Sequence, residues 1–213
     1  MIILRDTFGY PNFRPGQEDV IEAIRAGEDV LAVMPTGSGK SLCYQIPALL
    51  RDDLTLVVSP LVALMEDQVA ALKLSGVAAE TLNSSRHRGA NVAIWERVVA
   101  GKIQILYIAP ERLMTTRMIA ALQKLPVGQI TIDEAHCISR WGPSFRPDYE
   151  DLTRLSDLFP TAPISAFTAT ADAATRADIA DRLFNGSSRA FVTGYDRPNI
   201  RLSVEPRRDS KHQ

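Results

Sequence analysis

The chain is poor in the features that mark several large protein classes. Its 2 cysteines, Cys43 and Cys137, lie far apart and match no metal-ligand spacing, and such sparse usage indicates a reducing compartment. No apolar run approaches the length that spans a bilayer, and the amino terminus lacks a signal-peptide pattern. These absences favour a soluble protein without a membrane partner, in the cytoplasm or, in a eukaryote, the nucleus.

A surplus of either charge is also missing. The 24 Lys and Arg residues nearly balance the 25 Asp and Glu residues, which leaves a formal net charge of −1. This balance excludes a strongly basic protein that binds nucleic acid through bulk charge, so any nucleic-acid site must be local. Internal repeats and low-complexity tracts are absent, and 213 residues are enough for one large α/β domain with its own core.

Short apolar runs alternate with segments of helical periodicity. The runs predict strands over residues 29–33, 54–58, 78–82, 103–108, 128–132, 164–168 and 190–193. The apolar spacing predicts helices near residues 20–27, 42–47, 61–76, 87–99, 110–125, 148–159 and 172–184, with Asp148 capping its helix. This alternation predicts an α/β fold, a mostly parallel sheet with helices on both faces. Ligand loops of such sheets leave the carboxyl ends of the strands.

A glycine-rich turn between the first predicted strand and a helix has the context of a phosphate-binding loop. It matches G-x-x-x-x-G-K-[ST] except at its first position, which is Met34. Glycines let successive N–H groups converge on one point, Lys40 places a cation between the outer phosphates, and the Ser41 hydroxyl suits Mg²⁺. The alternative is a chance turn. The predicted nucleotide-binding residues are Thr36, Gly37, Ser38, Gly39, Lys40 and Ser41.

Two neighbouring acids end another buried strand. Asp133 can hold Mg²⁺ through water opposite Ser41, and Glu134 can orient and deprotonate a water that attacks the outer phosphate. The alternative is an acidic helix start favoured by the helix dipole. His136 belongs to the same motif and is a candidate catalytic residue with Lys40, although a lone histidine is more often structural and no partner Cys or His accompanies it.

With these motifs in place, residues 8–200 resemble the first motor domain of a RecQ-family DNA helicase of superfamily 2. The resemblance implies a RecA-like P-loop NTPase fold, with ATP and Mg²⁺ as cofactors and DNA as partner. The similar segments are Phe13–Gln17, Met34–Ser41, Ser59–Leu61, Ala109–Leu113, Asp133–His136, Trp141–Gly142, Phe145–Pro147, Ser165–Thr170 and Asp196–Asn199.

The resemblance also assigns an adenine site. It implies that the Gln17 amide hydrogen-bonds adenine as donor and acceptor together, while Tyr10 and Arg14 stack on the faces of the ring. For Tyr10 and Arg14 the residues alone leave another interpretation open, a capped helix start with an arginine that reaches along the surface.

A DNA-sensing loop is implied for residues 137–149. The candidate DNA contacts are Pro60, Arg140, Trp141, Phe145 and Arg146. Aromatic rings can stack on unpaired bases and arginines can meet phosphates, although composition alone also fits a folded loop with buried rings. The sequence has Pro143 and Ser144 where many family members have His and Asp, so a relay through this loop lacks a titratable ring and a carboxylate.

Further segments complete the resemblance. The helix starts near Pro60 and Pro110 suit DNA phosphates, or are simple helix starts, and Thr168–Thr170 is similar to the motif that links hydrolysis to unwinding. Residues 1–193 are expected to form the ATP-binding domain, and residues 194–213 the linker and the start of a missing second motor domain.

That second domain would supply arginines to the γ-phosphate, so the isolated domain is expected to be nearly inactive. The family implies 3′-to-5′ unwinding. The alternatives are an RNA helicase of the same superfamily, or an ATP-gated nucleic-acid clamp that does not unwind.

Overall fold

The computed structural model describes residues 2–83, 86–139 and 146–194. Within these residues seven parallel strands form one sheet in the order β3-β4-β2-β5-β6-β1-β7. The strands are β1 (Val30–Val33), β2 (Leu54–Val58), β3 (Ala79–Leu82), β4 (Ile105–Ile108), β5 (Val127–Ile132), β6 (Ile164–Thr168) and β7 (Arg189–Val192). Each lies on a predicted strand, to within two residues at either end.

Helices connect the strands and cover both faces of the sheet. Those in the described part of the chain are α1 (Ile2–Asp6), α2 (Gln17–Arg25), α3 (Lys40–Leu49), α4 (Val62–Leu74), α5 (Arg88–Val99), α6 (Pro110–Leu113), α7 (Thr116–Leu122), α8 (Pro147–Glu150), α9 (Leu155–Leu158) and α10 (Ala173–Phe184). Two 3₁₀ turns cover Ala135–Ile138 and Asp151–Arg154. None of the described helices has the length and apolarity that crossing a bilayer requires.

Two apolar clusters fill the space between the sheet and the helices. One contains Val20, Tyr44 and Met65 from α2, α3 and α4, and the other contains Ile94 and Ile179 from α5 and α10. Strands buried on both faces explain the continuous apolar runs in the sequence. The predicted α/β fold, with a parallel sheet between two layers of helices, is therefore confirmed.

The strand order brings distant motifs to one place. β5, β6 and β1 are neighbours, so the turns that follow Ile132, Thr168 and Val33 leave adjacent strands at the carboxyl edge. The opposite half of that edge, after β2, β4 and β3, carries the loops that lead into α4, α6 and α5.

Three local expectations were wrong, and one short helix was not predicted. The helix predicted over 110–125 is two helices, because the Thr115 side chain accepts the Met118 N–H and starts α7. Asp148 does not cap a helix; it lies inside α8, whose N-cap is Arg146, and the predicted 148–159 helix is divided by a 3₁₀ turn. α1, which buries Leu4 against the core, has no counterpart in the prediction.

Candidate nucleotide-binding site

The turn after β1 has the backbone geometry that a phosphate-binding loop needs. Gly37 and Gly39 have φ values of 82° and 85°, in the left-handed region that side chains disfavour. Gly39 is the N-cap of α3 and no side chain caps this helix, so its first N–H groups stay open to an anion. The Ser38 hydroxyl is buried and has no hydrogen-bond partner within the described residues, which fits a phosphate oxygen as its partner.

A cavity of about 390 Å³ lies over this turn and collects most of the predicted site. Its lining includes Lys40 and Ser41 from the start of α3, and Asp133 and Glu134 from the turn after β5. The Lys40 ammonium donates a hydrogen bond to the Met34 carbonyl at 3.2 Å. The structure thus brings the lysine–serine pair and the two acids together from residues almost a hundred positions apart in the sequence.

The two acids have different electrostatic surroundings. Burial, and after it the charge of Glu134, raises the pKa of Asp133 to about 6. A hydrogen bond from His136 is the main cause of the opposite shift at Glu134, whose pKa lies below its ordinary value. Cys137 and the Glu134 carboxylate raise the pKa of His136 to about 9. At neutral pH Glu134 is therefore ionised and can accept a proton.

Glu134 is also held in an unusual conformation. Its φ of 51° and ψ of 44° lie in the left-handed region, which residues other than glycine seldom adopt. His136 Nδ1 lies 3.3 Å from Glu134 Oε2 and 2.9 Å from the Thr168 hydroxyl. Because that hydroxyl can donate to the Thr170 carbonyl at 3.1 Å, it can accept the His136 N–H. A hydrogen-bonded chain thus connects the predicted base to the Thr168–Thr170 turn through His136, a contact that the sequence did not reveal.

Gln17 lies against the phosphate loop rather than in open space. Its Nε2 donates to the Ser38 and Gly39 carbonyls at 3.0 and 3.1 Å, and its Oε1 accepts the Arg14 N–H at 2.8 Å. The Arg14 guanidinium donates to the Gly37 carbonyl, and Tyr10 is 49% exposed at the cavity. Adenine recognition by Gln17 stays a prediction, and it requires the amide to exchange some of these partners.

We expect a Gly39→Ala substitution to destabilise the fold and to weaken nucleotide binding. A Cβ at Gly39 would lie 2.4 Å from Gln17 Nε2, in addition to the strain of a φ of 85°. Gly76→Ala is a matched control, since Gly76 has a φ of 78° and nothing within 4 Å of its Cβ position. Urea unfolding should show that the free energy of unfolding falls by about 1–2 kcal/mol in the control, the cost of strain alone, and by clearly more in Gly39→Ala. Equal losses would mean that Gln17 moves away at no cost.

A second prediction concerns Asp133 in the metal-free chain. A carboxylate whose pKa rises from 3.8 to about 6 on folding opposes folding above that pH. Asp133→Asn should therefore raise the free energy of unfolding at pH 8 by up to about 3 kcal/mol, and the gain should shrink as the pH falls through 6. Asp52→Asn, at an exposed acid, is the control. Lower stability of Asp133→Asn at pH 8 would contradict the burial argument.

A candidate nucleic-acid contact lies beside this site. The Arg146 guanidinium is exposed and donates to the Pro60 carbonyl at 3.4 Å, while its backbone N–H donates to the Cys137 carbonyl at 3.0 Å. Two predicted DNA contacts are therefore neighbours on the carboxyl edge. The predicted contacts Arg140, Trp141 and Phe145, and the departures Pro143 and Ser144, lie outside the described residues.

A family model decides the relationship of the chain to known proteins. The model of the DEAD/DEAH box helicases matches residues 14–179, most of the chain. The chain belongs to the DEAD/DEAH box helicase family. The match extends over both the glycine-rich turn and the acidic turn of this helicase domain.

Curated relatives of the helicase domain are RecQ-type proteins. The ATP-dependent DNA helicase RecQ of Haemophilus influenzae is 48% identical over 203 residues, which are 95% of this chain and 33% of that protein. The probable ATP-dependent DNA helicase RecS of Bacillus subtilis is 42% identical over 95% of this chain and 41% of its own length. The ATP-dependent DNA helicase Q1 of Mus musculus is 38% identical over 98% of this chain and 33% of its own length. The chain thus spans about a third of the length of several curated relatives that it matches.

Solved structures support the fold. An ATP-dependent RNA helicase from Sulfolobus tokodaii, described as hypothetical, has a TM-score of 0.68 at 22% identity and covers 87% of this chain and 54% of that one. The Hef helicase domain of Pyrococcus furiosus has a TM-score of 0.67 at 15% identity, and the match covers 91% of this chain and 40% of that one. At these identities the likeness shows the fold alone, and the expected RecA-like architecture of the helicase domain is confirmed.

The cavity of the helicase domain also contains residues that sequence reasoning missed. Asn12, Leu64 and Gln68 line it. The helical spacing of Leu64 predicts a core residue, but Leu64 and Gln68 lie one turn apart on the face of α4 that points to the cavity. Gln45 connects Gln68 to Tyr107 on β4, since the Gln45 Nε2 lies 3.1 Å from Gln68 Oε1 and 3.0 Å from the Tyr107 hydroxyl.

Proposed function

We propose that this chain is the ATP-binding motor domain of a RecQ-type DNA helicase, which couples ATP hydrolysis to DNA strand separation with a second motor domain. The observation that carries the proposal is the single cavity that Lys40, Ser41, Asp133 and Glu134 line. The 48% identity to a curated RecQ protein supports the choice of DNA over RNA.

Lys40 and the N–H groups at the start of α3 would bind the terminal phosphates, because the helix end and the ammonium both present positive charge there. Tyr10, Arg14 and Gln17, which also line the cavity, would hold the adenine. Glu134 would accept a proton from the attacking water. His136, itself held by its hydrogen bond with the Thr168 hydroxyl, would keep the Glu134 carboxylate oriented.

Magnesium fits this donor set. No group of three or more His, Cys, Asp and Glu residues in the described ranges could hold a metal by itself. Mg²⁺ suits such a site, since it binds phosphates together with one or two protein oxygens. Ser41 and Asp133, which line the same cavity, would hold it, Asp133 through water. When bound, it neutralises the charge that develops on the phosphates.

The test is ATP hydrolysis by the parent helicase with and without nucleic acid. Single-stranded DNA should stimulate turnover and RNA should not, and strand separation should require ATP. The isolated 213-residue chain should bind ATP weakly and turn it over slowly. Robust DNA-stimulated hydrolysis by the isolated chain would contradict the proposal that a second domain completes the site. Stimulation by RNA alone would favour an RNA helicase, and stimulation without unwinding would favour the clamp.

A further inference from the structure

A second cleft lies on the other half of the carboxyl edge, away from the nucleotide site. It measures about 570 Å³ and is lined by residues of α5, α6 and α7 and by Arg86 in the segment after β3. β3 and β4 are the strands beside β2, whose following loop contains Pro60. With strands about 4.8 Å apart, the end of β3 is about 10 Å from the end of β2. A strand of nucleic acid on Pro60 can therefore continue into this cleft.

The lining of the cleft is strongly basic. Among the described residues it contains Arg86, Arg88, Arg112 and Arg117 and no acidic residue. Arg88 and Arg117 are exposed and form no ion pair or hydrogen bond with any residue that the structure describes. Arg86 is partly neutralised, since it lies 3.7 Å from both Glu66 and Glu80. A chain with a net charge of −1 thus concentrates positive charge at one local site, as a nucleic-acid contact requires.

An aromatic ring contributes to the same cleft. Trp95 is half-buried, packs against the apolar core cluster on one side and lines the cleft with the rest of its surface. A tryptophan that is fixed from behind and open in front offers a stacking surface for a base. Phosphate binding alone would not require an aromatic ring beside the arginines.

Two buried polar atoms in the cleft lack partners within the described residues. Asn91 is 7% exposed, and its Nδ2 donates to the Asn83 and Arg86 carbonyls at 3.0 and 3.3 Å, but its Oδ1 accepts no hydrogen bond from a residue that the structure describes. Arg112 Nε is likewise buried and unpaired, although another nitrogen of this guanidinium lies 3.5 Å from the Asn83 carbonyl. Buried donors and acceptors are normally satisfied, so this pair suits a ligand with both kinds of group.

We propose that this cleft binds single-stranded nucleic acid, with its phosphates on Arg88, Arg112 and Arg117 and an unpaired base against Trp95. The inference rests on the proposed function in one respect, namely that the strand is the DNA on which the motor acts. It does not depend on the nucleotide cavity, because the cleft shares no lining residue with that cavity. It extends the DNA path beyond Pro60 and Arg146 by Arg88, Trp95 and Arg117, which the sequence motifs did not single out. Arg112 belongs to the Ala109–Leu113 segment of the resemblance and links this path to the new residues.

Fluorescence anisotropy of a labelled oligothymidylate with the 213-residue chain tests the proposal. Arg88→Ala/Arg117→Ala should weaken binding roughly tenfold or more, and should lower the slope of log affinity against log salt by about 1.4, for two lost phosphate contacts. Trp95→Met, which keeps an apolar side chain, should weaken binding of the oligothymidylate about fivefold or more. Arg5→Ala/Arg25→Ala removes the same charge from exposed sites on α1 and α2 and should stay within about twofold of the unchanged chain.

Binding of a fluorescent ATP analogue, measured on the same variants, separates this inference from the proposed function. The cleft variants should bind the analogue like the unchanged chain, which also shows that they are folded. An Arg88→Ala/Arg117→Ala variant that binds the oligonucleotide like its control overturns the cleft proposal while the nucleotide site stands. Inorganic polyphosphate that competes as well as the oligonucleotide, together with unchanged binding by Trp95→Met, overturns the base-binding part. Failure of the unchanged chain to bind the ATP analogue counts against the proposed function alone.

Discussion

Replacement of Glu134 by glutamine is expected to leave nucleotide binding in place and to slow ATP turnover by about 10²- to 10⁴-fold, the usual contribution of a positioned general base. The amide keeps the size and one acceptor oxygen of the side chain but cannot take a proton. The lowered pKa of Glu134 means that the carboxylate is ionised at neutral pH, as the proposed base must be.

This variant is informative because the proposed phosphate-binding groups and the proposed base lie on different elements of the fold. Lys40 lies at the start of α3, in the connection after β1, whereas Glu134 follows β5 and contacts His136. ATP binding should be measured with the 213-residue chain, and turnover with a protein that also contains the proposed second motor domain. Glu22→Gln, at an exposed acid on α2, is the control. Unchanged turnover in Glu134→Gln would remove Glu134 from the chemistry, and loss of binding would make it a structural residue.

Replacement of Lys40 by alanine should weaken binding of the ATP analogue by roughly 10- to 150-fold, the value of a hydrogen bond between charged groups. Lys40 Nζ lies 3.2 Å from the carbonyl of Met34, the residue that follows β1. Lys40 lines the same cavity as Asp133 and Glu134. A phosphate that enters the cavity would take the ammonium as its main positive partner. Lys40→Ala should therefore affect binding and turnover together, unlike Glu134→Gln.

The control for Lys40 is Lys102→Ala, which removes an equal charge from an exposed position before β4. Isothermal titration calorimetry measures the affinity of both variants for the ATP analogue. Binding by Lys40→Ala within about twofold of the control would show that the phosphates do not reach the lysine.

The fold could be predicted in some detail because its signals are local. Strands such as β2 are buried on both faces, so a run of apolar residues is sufficient to identify them. Where the prediction failed, the deciding contacts were less visible. The Thr115 hydroxyl divides a continuous apolar pattern into two helices, and α1 is only 5 residues long and is fixed by the packing of Leu4.

The sequence predicted which residues come together in the candidate site, but not the hydrogen bonds between them. The spacing of Gly39, Lys40 and Ser41 and the pair Asp133–Glu134 indicate a phosphate loop and two acids, and the order of the strands places them together. The use of the Gln17 amide by the loop depends on how α2 packs against α3, which no motif states. The chain from Glu134 through His136 to Thr168 depends in the same way on β5 and β6 being neighbours.

The basic cleft shows a further limit of reading motifs. Arg88, Trp95 and Arg117 belong to helices whose apolar sides pack on the core, and their sequence spacing fits ordinary solvent-facing positions. Only the packing of α5 beside α6 and α7 turns them into one surface.

The most direct measurement is a crystal structure of the chain with a non-hydrolysable ATP analogue and Mg²⁺. The account predicts that the terminal phosphates lie within hydrogen-bond distance of Lys40 and the first N–H groups of α3, with the magnesium ion between Ser41 and Asp133. Phosphates bound elsewhere, or a magnesium ion with neither Ser41 nor Asp133 in its surroundings, would contradict it.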